Sequence, residues 1–211
     1  MEKNMPHPNS IQQSIQPDKD YTFSDYFKLD YEPEDVLAYF GYEMNSESLV
    51  LPKSGIPLPR LPDLSDRLQR ALPHISLNNE TARREFLIAP VLMDLVDLVD
   101  AKLKVSYIIS VDRQLKGSLD YFIQTKRSLL IIEAKDENLQ RGFVQLATEL
   151  IALDRWLEDE HPILYGAVSI GSVWQFSRLE RQAKRITQDL NLYRAIGDLE
   201  ELMRILIGIL E

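Results

Sequence analysis

The fold is decided by two stretches of sequence, GSLDYFI at residues 117–123 and LLIIEAK at residues 129–135. Both are rich in β-branched or aromatic residues, and the short polar connection between them is typical of an antiparallel hairpin. Residues two apart on a strand point to the same face, so Glu133 and Lys135 are predicted to project together. If the two strands are neighbours, Asp120 joins them at one end of the sheet, where two carboxylates and an ammonium group converge.

Predicted helices and strands surround this hairpin in a regular order. A helix from Asn79 to about Lys102, which Pro90 is expected to kink, is followed by a strand at 105–111. After the hairpin, a long helix at 138–157 precedes an apolar strand at 163–170. The order αβββαβ predicts an α/β (α+β) fold with a central mixed sheet flanked by helices. The third strand and the strand at 163–170 are expected to pair in parallel.

The regularity of the pattern divides the chain into three parts. Residues 1–20, rich in Gln, Ser, Asn and Pro, predict a disordered tail. Residues 21–78 predict an N-terminal extension of short helices, and nine of the eleven prolines lie before residue 79. Residues 79–211 are predicted to form the main domain. Its remaining elements are expected to be strands at 173–179 and 184–193 and an amphipathic helix at 198–210.

Composition excludes several kinds of site. The 211-residue chain has no cysteine, which excludes disulfides and thiolate zinc sites and fits a reducing, cytoplasmic environment. His7, His74 and His161 lie far apart, which argues against a histidine-rich metal site. We expect neither a membrane span nor a signal peptide, because the required apolar runs are missing. The net charge of −9 counts against loose nucleic-acid binding over the whole surface, although one local basic surface would suffice.

Two carboxylates and a lysine in this arrangement suit hydrolysis of a phosphodiester. Asp120 and Glu133 offer the oxygen ligands that Mg²⁺ or Mn²⁺ prefers. The bound ion would polarise the phosphoryl oxygen and make a bound water more acidic. Lys135 could orient or help to deprotonate that water, and beside a metal its pKa would be lowered.

At these residues the chain resembles the PD-(D/E)XK nuclease superfamily, whose pattern is an acidic residue on the second strand and Glu-x-Lys on the third. Here these are Asp120 and the pair Glu133 and Lys135. The superfamily often adds a glutamate on the first core helix, which Glu85 matches. Glu85 falls on the helical stripe of Ile88, Ala89, Leu92 and Val96, so its side chain is predicted to point toward the core side. Some branches add a glutamine on the helix after the third strand, which Gln145 matches. Glu149, one turn on, could share that face. Two later stretches, VWQF at 173–176 and ITQDL at 186–190, look like cyanobacterial-type members of the superfamily.

The resemblance implies a restriction endonuclease-like core and a Mg²⁺- or Mn²⁺-dependent DNA endonuclease. It implies that Asp120 and Glu133 bind the metal, that Lys135 positions water, and that Glu85 and Gln145 assist. It also favours a homodimer, because many such enzymes cut two strands with two sites. The sequence does not distinguish DNA from RNA or endonuclease from exonuclease action.

Several observations leave alternatives open. Leu119 stands where the pattern has proline, and the basic residues near the motif form no dense patch. The candidates for phosphate contacts are Arg83, Arg84, Lys116, Lys126, Arg127 and Arg141. A catalytically inactive nuclease fold that serves as a binding or assembly module is therefore the alternative. A ribonuclease H-like enzyme is a third reading, which Lys135 argues against. Glu85 could instead be an exposed residue that pairs with Arg84, and Gln145 a polar residue that flanks the core.

Overall fold

A computed structural model describes residues 15–29, 31–126, 128–135, 138–158 and 161–211. In chain order its α-helices are α1 (Phe23–Lys28), α2 (Pro33–Tyr39), α3 (Leu61–Ala71), α4 (Glu80–Arg83), α5 (Ala89–Val99), α6 (Leu139–Trp156) and α7 (Leu199–Leu210). A 3₁₀ turn covers Leu72–His74, and a π-helical turn, Arg84–Ile88, joins α4 to α5. The strands are β1 (Glu43–Glu47), β2 (Lys102–Ser110), β3 (Lys116–Gln124), β4 (Leu129–Ala134), β5 (Ile163–Ser169), β6 (Val173–Glu180), β7 (Arg185–Asp189) and β8 (Tyr193–Arg194).

The strands form one mixed sheet in the order β1-β7-β6-β5-β4-β3-β2, and β8 pairs with β6. β3 and β4 are antiparallel, whereas β4 and β5 are parallel and are connected through α6. Both pairings were predicted from the sequence and are confirmed. The predicted class, an α/β fold with a mixed sheet flanked by helices, is confirmed as well.

β4 lies at the centre of the sheet and is buried on both faces, as its apolar run predicts. Leu130 and Ile132 belong to one hydrophobic cluster, which contains residues of α3, α5 and α7. Leu129 and Ile131 belong to a second cluster, which contains residues of α1, α2 and α6. Helices therefore cover both faces of the strand that ends in Glu133 and Ala134.

The N-terminal part differs from its prediction in two places. Residues 21–78 contain a strand besides helices, since β1 pairs in parallel with β7 at one edge of the sheet. Residues 15–20 do not form the expected disordered tail: Ile15 is buried, and Gln114 Nε2 donates to the carbonyl of Gln16 at 3.0 Å. The rest of the predicted tail, residues 1–14, lies outside the described residues.

The predicted helix from Asn79 to Lys102 is interrupted by the π-helical turn. Asn79 caps its start, because its side chain accepts from the backbone N–H of Ala82 at 2.8 Å. Pro90 has no N–H to donate and its ring crowds the carbonyl four residues earlier, so the preceding turn widens. The widened turn changes the helical phase, so residues of α4 are rotated relative to the buried side chains of Ile88 and Leu92.

No helix in the described part of the chain combines the length and the apolar character that crossing a membrane requires.

Candidate active site

Glu133 and Lys135 form a buried ion pair at the end of β4. Glu133 is 1% exposed, and Lys135 Nζ contacts Glu133 Oε1. The backbone N–H of Lys135 donates to the carbonyl of Ser169 at 2.8 Å, which continues the pairing with β5 by one residue. The two side chains therefore project together, as their spacing of two predicts.

Asp120 lies beside this pair, but both of its oxygens already have donors. Its Oδ2 accepts from the backbone N–H of Ala134 at 2.9 Å, which places it next to Glu133 on the neighbouring strand. Its Oδ1 accepts from Arg84 Nη1 at 2.9 Å. The structure thus brings the three predicted residues together at the C-terminal end of β4, with Asp120, from the middle of β3, held by a guanidinium group.

α6 adds two polar side chains to the same site. Gln145 and Glu149 are buried, and Gln145 Nε2 donates to Glu149 Oε1 at 3.0 Å. Gly142 lets the helix approach closely, because a Cβ there would lie 2.7 Å from Val168 Cγ1 and 3.1 Å from Lys135 Cγ. Gln145 was predicted as a site residue from the resemblance, and Glu149 only as a residue that could share its helix face.

Three buried oxygens in this group have no hydrogen-bond partner among the described residues. They are Glu133 Oε2, Gln145 Oε1 and Glu149 Oε2, and each is an acceptor. Burying an acceptor without a donor is unfavourable by roughly 1–3 kcal/mol, and by more for a charged group. Glu133 and Glu149 are close enough for a hydrogen bond between them, which would need a proton on one of the two.

The pKa values of the group follow from burial and from its excess of negative charge. Burial raises the pKa of Glu149 to about 8, and the charge of Asp120 acts in the same direction. Burial, with the charges of Glu149 and Asp120, also raises the pKa of Glu133 well above its usual range. Burial opposes the charged form of Lys135, but Glu133 outweighs it and raises the pKa of the lysine. The sequence predicted a lowered pKa for Lys135 beside a metal. The structure gives a raised pKa, because the amine contacts the carboxylate of Glu133.

Glu85, predicted to face the core side of its helix, is exposed. Glu85 lies in the π-helical turn, so its side chain does not follow the stripe of Ile88 and Leu92. Arg84, the preceding residue, contacts Asp120 instead. The predicted orientation of Glu85 is therefore wrong, whereas its role in the site stays a prediction. Arg84 was predicted only as a possible phosphate contact or partner of Glu85.

A residue of the N-terminal part also reaches the site. The ring of Phe27, in α1, lies 4.8 Å from Lys135 Nζ in a cation–π arrangement. The sequence carries no signal for this contact, because it depends on how α1 packs across α6.

The residues considered for phosphate contacts are mostly engaged in other interactions. Lys116 pairs with Asp20 at 2.7 Å, and Arg83 donates to the carbonyls of Leu77 and Ile170 at 3.0 and 3.1 Å. Lys126 is exposed, and Arg127 lies outside the described residues. Lys116 and Arg83, like Arg84, are thus engaged in contacts within the described part of the fold.

The chemistry of the group fits a divalent cation that prefers oxygen ligands. Its unpaired atoms are two carboxylate oxygens and one amide oxygen, all hard donors. Within the described ranges, no three His, Cys, Asp or Glu side chains are arranged to hold a metal ion, and an amide would have to supply one of the ligands. No protein-family model matches the chain, and no curated protein matches it either.

Proposed function

We propose that this chain is a metal-dependent phosphodiester hydrolase of the PD-(D/E)XK type, with a restriction endonuclease-like core. The arrangement of β2-β3-β4-β5, with β4 and β5 parallel through α6, supports the fold part of the proposal. One observation carries the activity: Glu133 and Lys135 form a buried pair beside Asp120, and acceptor oxygens in the same group lack donors. DNA as the substrate is proposed from the resemblance.

Each residue would have a separate role in hydrolysis. Glu133 would hold Mg²⁺ or Mn²⁺, and Asp120 would contribute once Arg84 releases it. The bound ion would supply Lewis-acid polarisation of the phosphoryl oxygen and a more acidic water. Lys135 would hold the attacking water and offset charge on the phosphate in the transition state. Gln145 would orient Lys135 or the substrate. Glu85, whose side chain is exposed, would assist through the metal or a water.

The test is cleavage of plasmid and single-stranded DNA in the presence of Mg²⁺ or Mn²⁺. We expect Lys135→Ala to cut at least about a hundredfold more slowly than the wild type, because positioned acid–base groups contribute that much or more. Lys102→Ala is the matched control, since Lys102 is an exposed lysine on β2 that pairs with Gln124, the last residue of β3 and four residues from Asp120. Equal cleavage by the wild type and Lys135→Ala would remove this mechanism.

A second candidate function is a binding or assembly module built on an inactive nuclease fold. The contact of Arg84 with Asp120 favours it, because a guanidinium group already neutralises this carboxylate. The net charge of −9 points the same way. Calorimetry distinguishes the two functions: a module without a metal site would show no Mn²⁺ binding at millimolar concentration.

A further inference from the structure

Glu149 is the most deeply buried carboxylate near the candidate site and the least satisfied. Its side chain is 0% exposed, and its Oε1 accepts one hydrogen bond, from the amide of Gln145. Its Oε2 has no partner among the described residues. A buried carboxylate with one neutral donor is unfavourable unless something else compensates for its charge.

The orientation of the Gln145 amide is fixed by this contact. With Nε2 on Glu149, the amide oxygen is the atom left unpaired. When Glu149 is ionised, the reverse orientation would place two acceptors, Gln145 Oε1 and Glu149 Oε1, against each other. The group therefore presents two unpaired acceptor oxygens on α6, Gln145 Oε1 and Glu149 Oε2.

A proton alone does not satisfy these oxygens. One proton shared by Glu133 and Glu149 would bridge the two carboxyl groups, but the amide oxygen of Gln145 would still lack a donor. The amine of Lys135 is already placed on the other oxygen of Glu133. A divalent cation can take several oxygen ligands at once, which a proton cannot.

We infer that Glu149 is a ligand of the divalent cation, which binds between Glu133 and Glu149 with Gln145 Oε1 as a further oxygen donor. The inference rests on the proposed function for the presence of a metal and changes its ligand set. The resemblance assigns the ion to Asp120 and Glu133, whereas both oxygens of Asp120 have donors here. Asp120 then acts mainly as a positioning residue, since it binds Arg84 and the backbone of Ala134.

The test is Mn²⁺ binding by the full chain, measured by isothermal titration calorimetry and by the shift in melting temperature on adding Mn²⁺. We expect Glu149→Gln and Glu133→Gln each to weaken binding by about tenfold or more, because each removes a charged ligand. Asp120→Asn should weaken it less. Glu200→Gln, a change of an exposed glutamate on α7, is the matched control and should bind as the wild type does.

Folding of the variants is checked by the melting temperature without metal. Glu149→Gln should melt no lower than the wild type, because it replaces a buried carboxyl group, whose ionisation is unfavourable, with a neutral amide. A wild type that binds no Mn²⁺, or a folded Glu149→Gln protein that binds it as tightly as the wild type, would overturn the inference.

The outcome separates this inference from the proposed function. If Glu149→Gln binds Mn²⁺ as the wild type does and DNA is cleaved through Lys135, the hydrolase stands and the role of Glu149 is lost. If Glu149→Gln loses Mn²⁺ and the wild type cleaves no DNA, the ligand stands and the hydrolase fails.

Discussion

Two carboxylates on α6, Glu149 and Asp154, are both buried, but their surroundings are opposite. Asp154 accepts from Arg181 Nε at 2.7 Å, from Lys184 Nζ at 2.7 Å and from the Tyr42 hydroxyl at 2.5 Å. Burial acts to raise the pKa of Asp154, but these donors outweigh it and hold that pKa below its usual range. Glu149 has one amide donor, and burial raises its pKa to about 8.

The difference separates a structural carboxylate from a candidate functional one. Asp154 ties α6 to Tyr42 in the N-terminal part and to the turn that holds Arg181 and Lys184, and all of its acceptor capacity serves the fold. Glu149 is buried beside Glu133 with an oxygen that has no donor in the described part of the chain. Buried groups with strongly shifted pKa values and incomplete partners are concentrated at functional sites.

The largest expected effect is the loss of Asp154, the carboxylate whose oxygens all have donors. Asp154→Ala should lower the free energy of unfolding by about 2–4 kcal/mol, because Arg181 and the buried Tyr42 hydroxyl lose a charged acceptor. The half-exposed Lys184 is expected to add little. Urea denaturation measures this change. Glu200→Ala, which breaks an exposed pair on α7, should have a far smaller effect. Similar losses in the two variants would mean that the Asp154 network adds nothing to the fold.

Glu149→Gln should raise the free energy of unfolding, not lower it, in protein stripped of metal with a chelator. At pH 8 we expect its free energy of unfolding to exceed that of the wild type by roughly 1–3 kcal/mol, because a buried charge is replaced by a neutral amide. The same urea titration measures it. A variant less stable than the wild type under these conditions would show that the Glu149 carboxylate is compensated.

The metal-free wild type should also lose stability as pH rises from about 5 to 8. The pKa of Glu149 is about 8 in the folded chain and near 4.5 when unfolded, so the folded state holds more protons in this window. Stability then falls with rising pH, with a slope of up to about 1.4 kcal/mol per pH unit for one group. Asp154 contributes the reverse: its lowered pKa stabilises the fold above about pH 4, and this is lost as pH falls further.

Urea midpoints between pH 5 and 8 test this dependence. Glu149→Gln should flatten the profile, and saturating Mn²⁺ should flatten that of the wild type, because the ion replaces the proton. A profile identical in the wild type and in Glu149→Gln would assign the titration to another group.

The smallest expected effect concerns the cation that holds Asp120. Arg84→Gln should tighten Mn²⁺ binding by about two- to threefold, because it removes a positive charge worth well under 1 kcal/mol from a partly exposed pair. Calorimetry measures it, with Arg67→Gln, which removes an exposed arginine paired with Asp94, as the control. Weaker Mn²⁺ binding in Arg84→Gln would indicate that Arg84 supports the metal site.

The features that depend on the two-residue repeat and the apolar run of a strand could be predicted from the sequence. Glu133 and Lys135 face the same way because a strand repeats every two residues, and β4 is central because its run is apolar. Glu85 was misplaced because the widened turn before Pro90 resets a period of 3.6 residues. β1, with the sequence EMNSE, has neither β-branched nor aromatic residues to mark it as a strand.

The number of hydrogen-bond donors around each carboxylate, which distinguishes Glu149 from Asp154, could not be predicted from the sequence. Both residues lie on an amphipathic helix, and local sequence gives no sign that Tyr42, Arg181 and Lys184 surround one of them. The depth of Glu149 depends on the close approach of α6 at Gly142, a tertiary contact with Val168 and Lys135. Long-range packing, not local propensity, therefore decides which carboxylate is left unsatisfied.

The most direct test of the central claim is an anomalous diffraction measurement on crystals soaked in millimolar Mn²⁺. We predict one anomalous peak within direct coordination distance of Glu133 and Glu149, with Asp154 still bound to Arg181 and Lys184. An ion bound to Asp120 without Glu149, or no peak beside Glu133 under these conditions, would contradict it.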